Sequence, residues 1–213
     1  MASSYQQFCG VAKALDVLGE RWTLLIARDL LLGPRRYSDL HQSLRGITTN
    51  LLSTRLKMLT TEGLIEKREP VPPEKGQAYA LTEAGRSLEP IVLALGAFGA
   101  RYMQTPRPGD AFNPRWAMLS LKRRYRGSLA SGRLGFYLGD AAFDVAFDGD
   151  HIDVWDGQAQ DPHATLRGEP QGWFPLLTRS APLTALIDDG VLQATGSRRT
   201  LNAFCKAIGT RVR

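Results

Sequence analysis

The side chains with the clearest capacity for chemistry lie between residues 48 and 62, on one side of a predicted helix. At about 100° per residue, Leu52, Leu56 and Leu59 form a narrow apolar seam on this helix. The opposite side carries small hydrogen-bonding groups and one cation, at Asn50, Ser53, Thr54, Lys57 and Thr61. Amide and hydroxyl groups can hydrogen-bond to base edges, and lysine can bind phosphate. The pattern therefore predicts a surface that contacts nucleic acid, with an ordinary solvent-facing side as the alternative.

The neighbouring residues define where this helix begins and ends. Thr48 or Thr49 begins it, because a threonine hydroxyl can accept a hydrogen bond from an amide of the first turn. The helix runs to about Glu62, and Gly63 ends it as a residue that tolerates positive φ. A shorter helix, Ser38 to Leu44, precedes it across a tight turn, and Ser38 is its predicted cap.

Two strand-like runs follow, from Leu64 to Glu69 and from Gln77 to Leu81. They enclose a segment rich in proline, residues 70–76, which predicts the tip of a hairpin. Lys75 in that tip is a candidate for a phosphate or minor-groove contact, with a solvated turn as the alternative. Helix, turn, helix and hairpin in this order predict a winged helix-turn-helix that binds double-stranded DNA.

Three arginines near the helix pair are further candidates. Arg35 and Arg36 directly precede the first helix of the pair, where they can anchor phosphates through charge-assisted hydrogen bonds or serve only solubility. Arg55 lies at the margin of the apolar seam, so it cannot point straight at base edges as Asn50 can. We expect its guanidinium either to reach a phosphate or to pair with a carboxylate such as Asp39.

Apolar stripes predict the helices that surround this module. The first, residues 8–18, has its stripe at Phe8, Val11, Leu15 and Leu18. The second, residues 22–32, is apolar on most sides, as a central buried helix would be. Residues 83–102 predict one long helix with a broad apolar stripe that needs a partner surface. We expect that partner to be a second copy of the chain, together with the first helix, or else the C-terminal half.

Several motifs follow one another across residues 8–103. The longest is CGVAKALDVLGERWTLLIARDLLLGPRRYSDL, from Cys9 to Leu40, and shorter ones are Leu52–Leu56, Glu62–Ile65 and Tyr79–Gly85. This order resembles the HxlR-type family of bacterial transcriptional regulators, which have a MarR-like winged helix. The resemblance implies a homodimer that binds near-palindromic operator DNA, with residues 48–62 as recognition helix and 69–77 as wing. The residues expected to contact DNA are Arg35, Arg36, Ser38, Thr48, Thr49, Asn50, Ser53, Thr54, Arg55, Lys57 and Lys75.

Cys9 is a candidate for thiol chemistry. It begins the first predicted helix, where exposed amides favour the thiolate and lower the pKa of the thiol. In some proteins that resemble this family, a cysteine at this place senses oxidants or electrophiles. Lys13 is the only cation within one turn, and a cysteine beside an apolar stripe is most often simply packed. Packing also explains Cys205, on an amphipathic helix near the C-terminus.

The second half has a different pattern. Residues 105–112, rich in proline and glycine, predict a linker between a domain at 1–104 and a domain at 113–213. Alternating apolar residues predict strands, and Gly149 suits the positive φ of a tight hairpin. The predicted strands are 133–138, 142–147, 151–155 and 191–195, and the predicted helices are 113–126, 171–177, 183–188 and 197–208.

Two short motifs in this half, Ala164–Pro170 and Val191–Gly196, together with the order of elements, resemble the sterol carrier protein-like α/β fold. The fold class is therefore expected to be α+β: a winged helix-turn-helix followed by a sterol-carrier-like domain with an antiparallel sheet. The resemblance implies a hollow between sheet and helices that can hold an apolar ligand. The candidate wall residues, for which filling of the core is the alternative, are Phe136, Phe143, Phe147, Trp155, Trp173 and Phe174.

Composition and spacing argue against several other classes. A net charge of +6, shared equally between the two halves, favours an anionic partner. The two cysteines and three histidines lack the spacing of a metal site or a disulfide framework. We find no nucleophile–base set and no phosphate loop, so neither an enzyme nor a cofactor is expected. No apolar run approaches the roughly 18 residues of a membrane span and no signal peptide is evident, which predicts a cytoplasmic protein.

Three functions are compatible with these patterns. The first is a homodimeric transcriptional regulator, a repressor rather than an activator, with a small apolar effector in the C-terminal domain. The second is a thiol-based sensor of oxidants or electrophiles that regulates DNA binding through Cys9. The third is a ligand carrier in which the winged helix is a protein-interaction module that does not bind DNA.

Overall fold

The computed structural model of the protein describes residues 4–69, 76–103, 110–127, 129–178 and 181–209. Contacts within the chain divide it into an N-terminal unit, residues 1–95, and a C-terminal unit, residues 96–213. None of the described helices is long and apolar enough to cross a membrane.

Short helices make up most of the first 103 residues, as the apolar periodicity predicts. Their bounds are α1 (Gly10–Leu18), α2 (Thr23–Leu30), α3 (Tyr37–Ser43), α4 (Thr49–Thr61), α5 (Glu83–Arg86) and α6 (Glu89–Gly99), followed by a 3-10 turn (Ala100–Tyr102). Leu18, Ala27 and Leu88 form a buried cluster that joins α1 and α2 to the segment after α5. The prediction of a buried second helix is confirmed at Ile26 and Ala27, which have no exposed surface.

A three-stranded antiparallel sheet accompanies these helices. Its strands are β1 (Arg35–Arg36), β2 (Ile65–Arg68) and β3 (Ala78–Leu81), in the order β1-β3-β2. The hairpin strands β2 and β3 confirm the predicted runs, with Ile65 opposite Leu81 at the base. Residues 70–75 of the predicted hairpin tip at 70–76, which include Lys75, lie outside the described residues.

Helix α4 begins and ends where its residues predict. The Thr48 hydroxyl accepts a hydrogen bond from the Leu51 amide at 3.3 Å, which caps the first turn. Gly63 takes φ +68°, the left-handed conformation that glycine adopts without strain after a helix. The apolar seam of Leu52, Leu56 and Leu59 is buried and fixes α4 on the core of the unit.

The single long helix predicted across residues 83–102 is wrong. The segment forms α5, then a break at Ser87 and Leu88, then α6. Pro90 has no amide hydrogen to donate to the carbonyl of Arg86, and its ring would clash with that carbonyl in a continuous helix. The helix therefore stops and restarts, and Thr82 caps α5 by accepting from the Gly85 amide at 3.0 Å.

The first helix begins two residues later than predicted, so Phe8 precedes it. Within the stripe, only Leu18 is buried. Phe8 is fully exposed, Val11 is 69% exposed and Leu15 is 44% exposed. Most of this stripe is thus uncovered in a single chain.

The C-terminal unit combines one sheet with flanking helices. The strands are β4 (Leu129–Leu138), β5 (Ala141–Gly149), β6 (His151–Asp156), β7 (Ala164–Gly168) and β8 (Gln193–Gly196). The helices are α7 (Pro114–Arg124), α8 (Phe174–Thr178), α9 (Leu183–Asp188) and α10 (Arg198–Ala207), with a 3-10 turn at Pro170–Trp173. Gly149 turns the β5–β6 hairpin with φ +60°, as predicted.

The strand order is β6-β5-β4-β7-β8, and the expectation of an antiparallel sheet is wrong for one pair. Strands β4 and β7 are parallel, with Leu134 opposite Ala164 and Phe136 opposite Leu166. A tight hairpin joins only antiparallel neighbours, whereas β7 reaches the side of β4 after β5, β6 and the connection at residues 157–163. The mixed sheet leaves the sterol-carrier-like resemblance as a prediction.

The core of the C-terminal unit is built where α10 meets the sheet. The buried stripe of α10 includes Leu201, Phe204 and Cys205, with Ile208 directly after the helix. The Phe204 ring lies 5.7 Å from both the Phe136 and the Phe147 rings, measured between centroids. Contacts between aromatic rings at these distances stabilise a core beyond the area that they bury.

Candidate nucleic-acid interface

The polar side of α4 (Asn50, Ser53, Thr54 and Lys57) is exposed over its whole length. Within the described part of the chain, the side chains of Asn50 and Lys57 have no hydrogen-bond or ion-pair partner. An amide with two donors and an acceptor is therefore available to a base edge, and an ammonium group is available to a phosphate. The exposed thirteen-residue helix can enter a major groove, which is about 12 Å wide.

The two hydroxyls of the polar side already have partners within the chain. The Thr54 hydroxyl donates to the Asn50 carbonyl at 2.9 Å. The Ser53 hydroxyl lies 3.2 Å from the hydroxyl of Tyr37, which also donates to the Thr49 carbonyl at 2.9 Å. Sequence analysis missed Tyr37, although it directly precedes Ser38 in the quoted motif. This tyrosine ties the start of α3 to the first turns of α4.

Arg36 and Asp39 form a paired site at the start of α3. The Arg36 guanidinium donates from two nitrogens to the two carboxylate oxygens of Asp39, at 3.1 and 3.0 Å. Burial acts to raise the pKa of Asp39, but the hydrogen bonds from Arg36 and the charges of Arg35 and Arg36 lower it overall. Arg36 is thus held in place within the helix pair, and Arg35 lies beside it, opposite Tyr79 of β3.

The predicted capping role of Ser38 is wrong. The helix begins at Tyr37, so the capping position falls on Arg36, which makes no side-chain capping bond. The Ser38 hydroxyl instead donates to Asp39 at 3.3 Å, and the side chain is exposed. Its predicted contact with DNA remains a prediction.

For Arg55, the structure shows a carboxylate pair, but with a different partner. Its Nε donates to the Arg21 carbonyl at 3.2 Å, and a terminal nitrogen pairs with the carboxylate of Glu20. The Asp39 partner suggested by the sequence is already used by Arg36. Glu20 is 35 residues away in the sequence, and no local pattern indicates that pairing.

The wing strand adds two exposed cations that sequence analysis missed, Lys67 and Arg68. Arg68 donates to Glu66 at 2.7 Å, and Gln77 joins the two strands at their tip end by donating to the Arg68 carbonyl at 3.1 Å. Two adjacent cations on a predicted wing strand were the signal that could have found them. Exposed lysine and arginine side chains can contact phosphates.

Cys9 occupies the capping position of α1 and is exposed. The nearby backbone amides of Ala12 and Val11 lower the pKa of its thiol, because they favour the thiolate. Lys13 lies 3.5 Å from the carboxylate of Asp16, so its charge is shared with that group. Cys205 is the opposite case, since burial raises the pKa of its thiol to about 12.

The aromatic residues expected to line a hollow divide into two groups. Phe136, Phe143, Phe147 and Trp173 are buried, and Phe136 packs against Trp173 with ring centroids 5.4 Å apart. Such contacts favour core packing, the alternative that the sequence left open. Trp155 lies on edge strand β6 and is 41% exposed, and its role as a wall residue stays a prediction.

Phe174 is half-buried and packs against Phe112, with ring centroids 4.9 Å apart. Among the described residues no group of three or more His, Cys, Asp or Glu side chains could hold a metal ion. The geometry therefore offers exposed hydrogen-bonding groups and a cation on the polar side of α4, and an exposed thiol directly before α1.

The N-terminal half of the chain matches a known protein family. The family model described as HxlR-like helix-turn-helix matches residues 17–107. This range includes α2 to α6 and the whole three-stranded sheet. The match agrees with the motifs on which the resemblance of the sequence rests.

The chain is also similar to proteins that are named as transcriptional regulators. The chain is 42% identical over 98 residues to an HTH-type transcriptional regulator of Mycobacterium tuberculosis, covering 46% of this chain and 60% of that protein. It is 40% identical over 81 residues to the HTH-type transcriptional regulator YvaP of Bacillus subtilis, covering 38% of this chain and 74% of that protein. The solved structure of the oxidized redox regulator HypR is 29% identical, with a TM-score of 0.42, covering 46% of this chain and 100% of that one. The chain thus spans about three fifths of the mycobacterial relative.

Proposed function

Because the chain belongs to the HxlR-like helix-turn-helix family, we propose that it is a transcriptional regulator that binds double-stranded DNA as a homodimer. Each protomer places α4 in a major groove of a near-palindromic operator. The observation that carries the proposal is the exposed polar side of α4, on which Asn50 and Lys57 have no partner in the described chain.

Each group on this surface has a distinct task. An asparagine amide can bind adenine through two hydrogen bonds, which gives Asn50 the specific contact. Lys57, Arg35 and the wing cations Lys67 and Arg68 supply phosphate contacts, which position the protein on any sequence. Arg36 contributes mainly by its pairing with Asp39, which holds the start of α3.

Homodimerisation is supported by apolar surface that a single chain leaves uncovered. On α1 this surface is Val11 and Leu15, and on α6 it includes Ile91 and Leu95, which are 42% and 47% exposed. A two-fold axis brings the same surface of two copies together. It would also set two copies of α4 about 34 Å apart, one turn of DNA.

More specifically, we propose that the protein is a repressor whose DNA binding is controlled by a small apolar effector. The effector would bind the C-terminal unit and shift the two copies of α4 between spacings that fit and do not fit the operator. Because the Phe204 ring packs against the rings of Phe136 and Phe147, an effector has to enter beside this cluster or displace part of it. The effector proposal would be contradicted if apolar compounds changed neither the melting temperature nor the operator affinity of the full chain.

Selection of DNA from a random pool by the purified chain, repeated over a salt series, tests the proposed function. We expect one enriched site with two-fold symmetry, and an affinity that falls steeply as salt rises because phosphate contacts release counterions. Weak binding with no enriched sequence would contradict the proposal and favour the ligand-carrier alternative.

A second candidate function is regulation by thiol oxidation at Cys9. Its support is the exposed thiol at the capping position of α1, with a pKa lowered by two backbone amides. Exposed thiolates are the cysteines that oxidants and electrophiles modify first. Because Cys9 lies between Phe8 and Val11 of the uncovered stripe, a modified thiol there would alter the proposed dimer contact.

Cys9→Ser tests this candidate directly. The variant is expected to bind the selected DNA as the wild-type chain does, and to lose any change in affinity caused by peroxide or quinone. Cys205→Ser is the matched control, since the buried Cys205 thiol should not contribute. An equal response of the Cys9 variant and the wild-type chain would exclude Cys9 as the sensor.

A further inference from the structure

The turn between α1 and α2, residues 19–22, has a fixed and unusual shape. The Gly19 amide donates to the Leu15 carbonyl at 2.8 Å and ends α1. Trp22 takes φ +80° and ψ −20°, a left-handed conformation that is rare for a bulky aromatic residue. Such a conformation persists only where the surrounding structure holds it. We refer to this segment as the Gly19–Trp22 turn.

One side chain of the recognition helix binds this turn at two places. Arg55 donates from Nε to the Arg21 carbonyl at 3.2 Å, and pairs through a terminal nitrogen with the carboxylate of Glu20. The Arg55 side chain is only 14% exposed, whereas that of Glu20 is 49% exposed. The planar guanidinium fixes direction as well as distance, which the ammonium group of a lysine would not do.

The same turn also lies against the segment that leads into α4. A Cβ atom built on Gly46 would lie 3.9 Å from the edge of the Trp22 indole, so the ring passes close to the turn between α3 and α4. The Arg21 guanidinium lies over the Trp22 ring, 5.2 Å from its centroid. The Gly19–Trp22 turn therefore contacts α4 near its middle and passes close to the chain just before its start. A contact on the helix and a close neighbour before it limit the direction of a helix more than the contact alone would.

Arg55 is not on the polar side of α4. At about 100° per residue it is rotated by about 140° from Asn50 and by about 160° from Lys57. While it holds Glu20 and the Arg21 carbonyl, it points away from a groove that the polar side would enter. Its contribution to DNA binding has to act through the orientation of the helix.

We propose that Arg55 and Glu20 are positioning residues that set which spacing between two operator half-sites the dimer accepts. The proposal rests on the proposed function. Helix α1 carries the uncovered stripe that a second copy would cover, and the Gly19–Trp22 turn is the continuation of α1. Arg55 thus joins the end of the dimer helix to the recognition helix. Moving one half-site by a single base pair shifts it by about 3.4 Å and rotates it by about 35°. A loosely held α4 could reorient and still bind the shifted half-site, whereas a fixed α4 could not.

The test uses duplexes that carry the selected half-sites at the selected spacing, and at one base pair more and one fewer. For the wild-type chain we expect a strong preference for one spacing. Arg55→Gln should reduce the ratio of Kd values between shifted and selected spacing by about tenfold, the usual effect of losing a charge-assisted hydrogen bond. Glu20→Gln should act in the same direction by a smaller factor, and the double variant should add nothing to Arg55→Gln, because both substitutions remove the same link.

Lys57→Gln is the matched control, since it also removes one positive charge from α4, but from its polar side. It should weaken binding to all three duplexes alike and leave the spacing ratio unchanged. Glu20→Gln changes an exposed side chain, so it keeps the test decisive even if Arg55→Gln unfolds.

Wild-type spacing ratios in folded Arg55→Gln and Glu20→Gln would overturn the proposal, as would an equal change of the ratio in Lys57→Gln. A wild-type chain that enriches no symmetric site would overturn the proposed function itself. That failure is visible before any variant is made, so the two failures are distinguishable.

Discussion

Helices α1 and α10 carry the same sequence pattern and have opposite surroundings. Both have a regular apolar stripe, and a cysteine stands near each stripe. The stripe of α10 is covered by the sheet of its own unit, where Phe204 is 1% exposed. The stripe of α1 leaves Val11 and Leu15 largely exposed, although its last residue, Leu18, joins the core.

The difference teaches that periodicity shows which side of a helix is apolar, and not what covers it. The cysteines follow the same division. Burial raises the pKa of Cys205 to about 12, whereas backbone amides lower the pKa of the exposed Cys9 thiol. An apolar stripe without cover in its own chain needs another molecule, and for α1 the proposed molecule is a second copy.

The largest expected effect is on the covered helix. Phe204→Ala should lower the free energy of unfolding of the C-terminal unit by about 3–5 kcal/mol, because it leaves a cavity among touching aromatic rings. Val11→Ala on α1 should change the unfolding of the monomer by no more than about 0.5 kcal/mol. Urea denaturation at low protein concentration, followed by tryptophan fluorescence, measures both. Similar losses from the two variants would show that α1 is covered within its own chain.

The next largest expected effect is on self-association through the uncovered stripe of α1. Leu15→Asp should weaken self-association by at least about 100-fold, because a two-fold contact contains the new charge twice. Sedimentation equilibrium measures the change, with Lys13→Ala, on another side of the same helix, as the control. Unchanged self-association of Leu15→Asp would exclude the stripe of α1 from the dimer contact.

A smaller effect concerns the polar side of α4. Asn50→Ala should reduce discrimination at one base pair of each half-site by about 1–3 kcal/mol while binding to unrelated DNA stays the same. Lys57→Ala should weaken all sequences alike and lower the salt dependence by about one counterion. Binding titrations on selected and mismatched duplexes separate the two. Equal losses on every sequence from both variants would place the specific contacts elsewhere.

The smallest effect is the pH dependence of the two thiols. Because the folded pKa of Cys9 lies below its unfolded value, its thiolate should form, and react with iodoacetamide, at lower pH in the native chain than in urea. Cys205 should react only on unfolding, since its folded pKa is raised. Peptide mass spectrometry after alkylation across pH 6–10 (a range of about four units around an ordinary thiol pKa) measures both. The same midpoint for Cys9 in the folded and unfolded chain would contradict the lowered pKa.

Much of the N-terminal half was predictable because its signals are local. Thr48 caps α4 and Gly63 ends it, and each acts through its own backbone and nearest turn. The break before α6 follows from Pro90 alone and was missed because the apolar stripe continues across it. These features need no knowledge of the tertiary fold.

The remaining features depend on residues that meet from distant parts of the chain. Nothing near Arg55 indicates that its partner is Glu20, because the pairing depends on the left-handed turn at Trp22. The parallel pairing of β4 with β7 likewise depends on how residues 157–163 cross the sheet. Whether an aromatic residue lines a hollow or fills a core depends on its neighbours, which periodicity does not specify.

The most direct test of the proposal that a second copy covers α1 is the number of chains on one selected DNA site, measured by sedimentation velocity with a labelled duplex. We expect two wild-type chains to bind together on each symmetric site. We expect Leu15→Asp to bind the same duplex far more weakly and without cooperation between half-sites. One chain on each full site, or two Leu15→Asp chains that bind as tightly as the wild type, would contradict the claim that α1 is covered by a second copy.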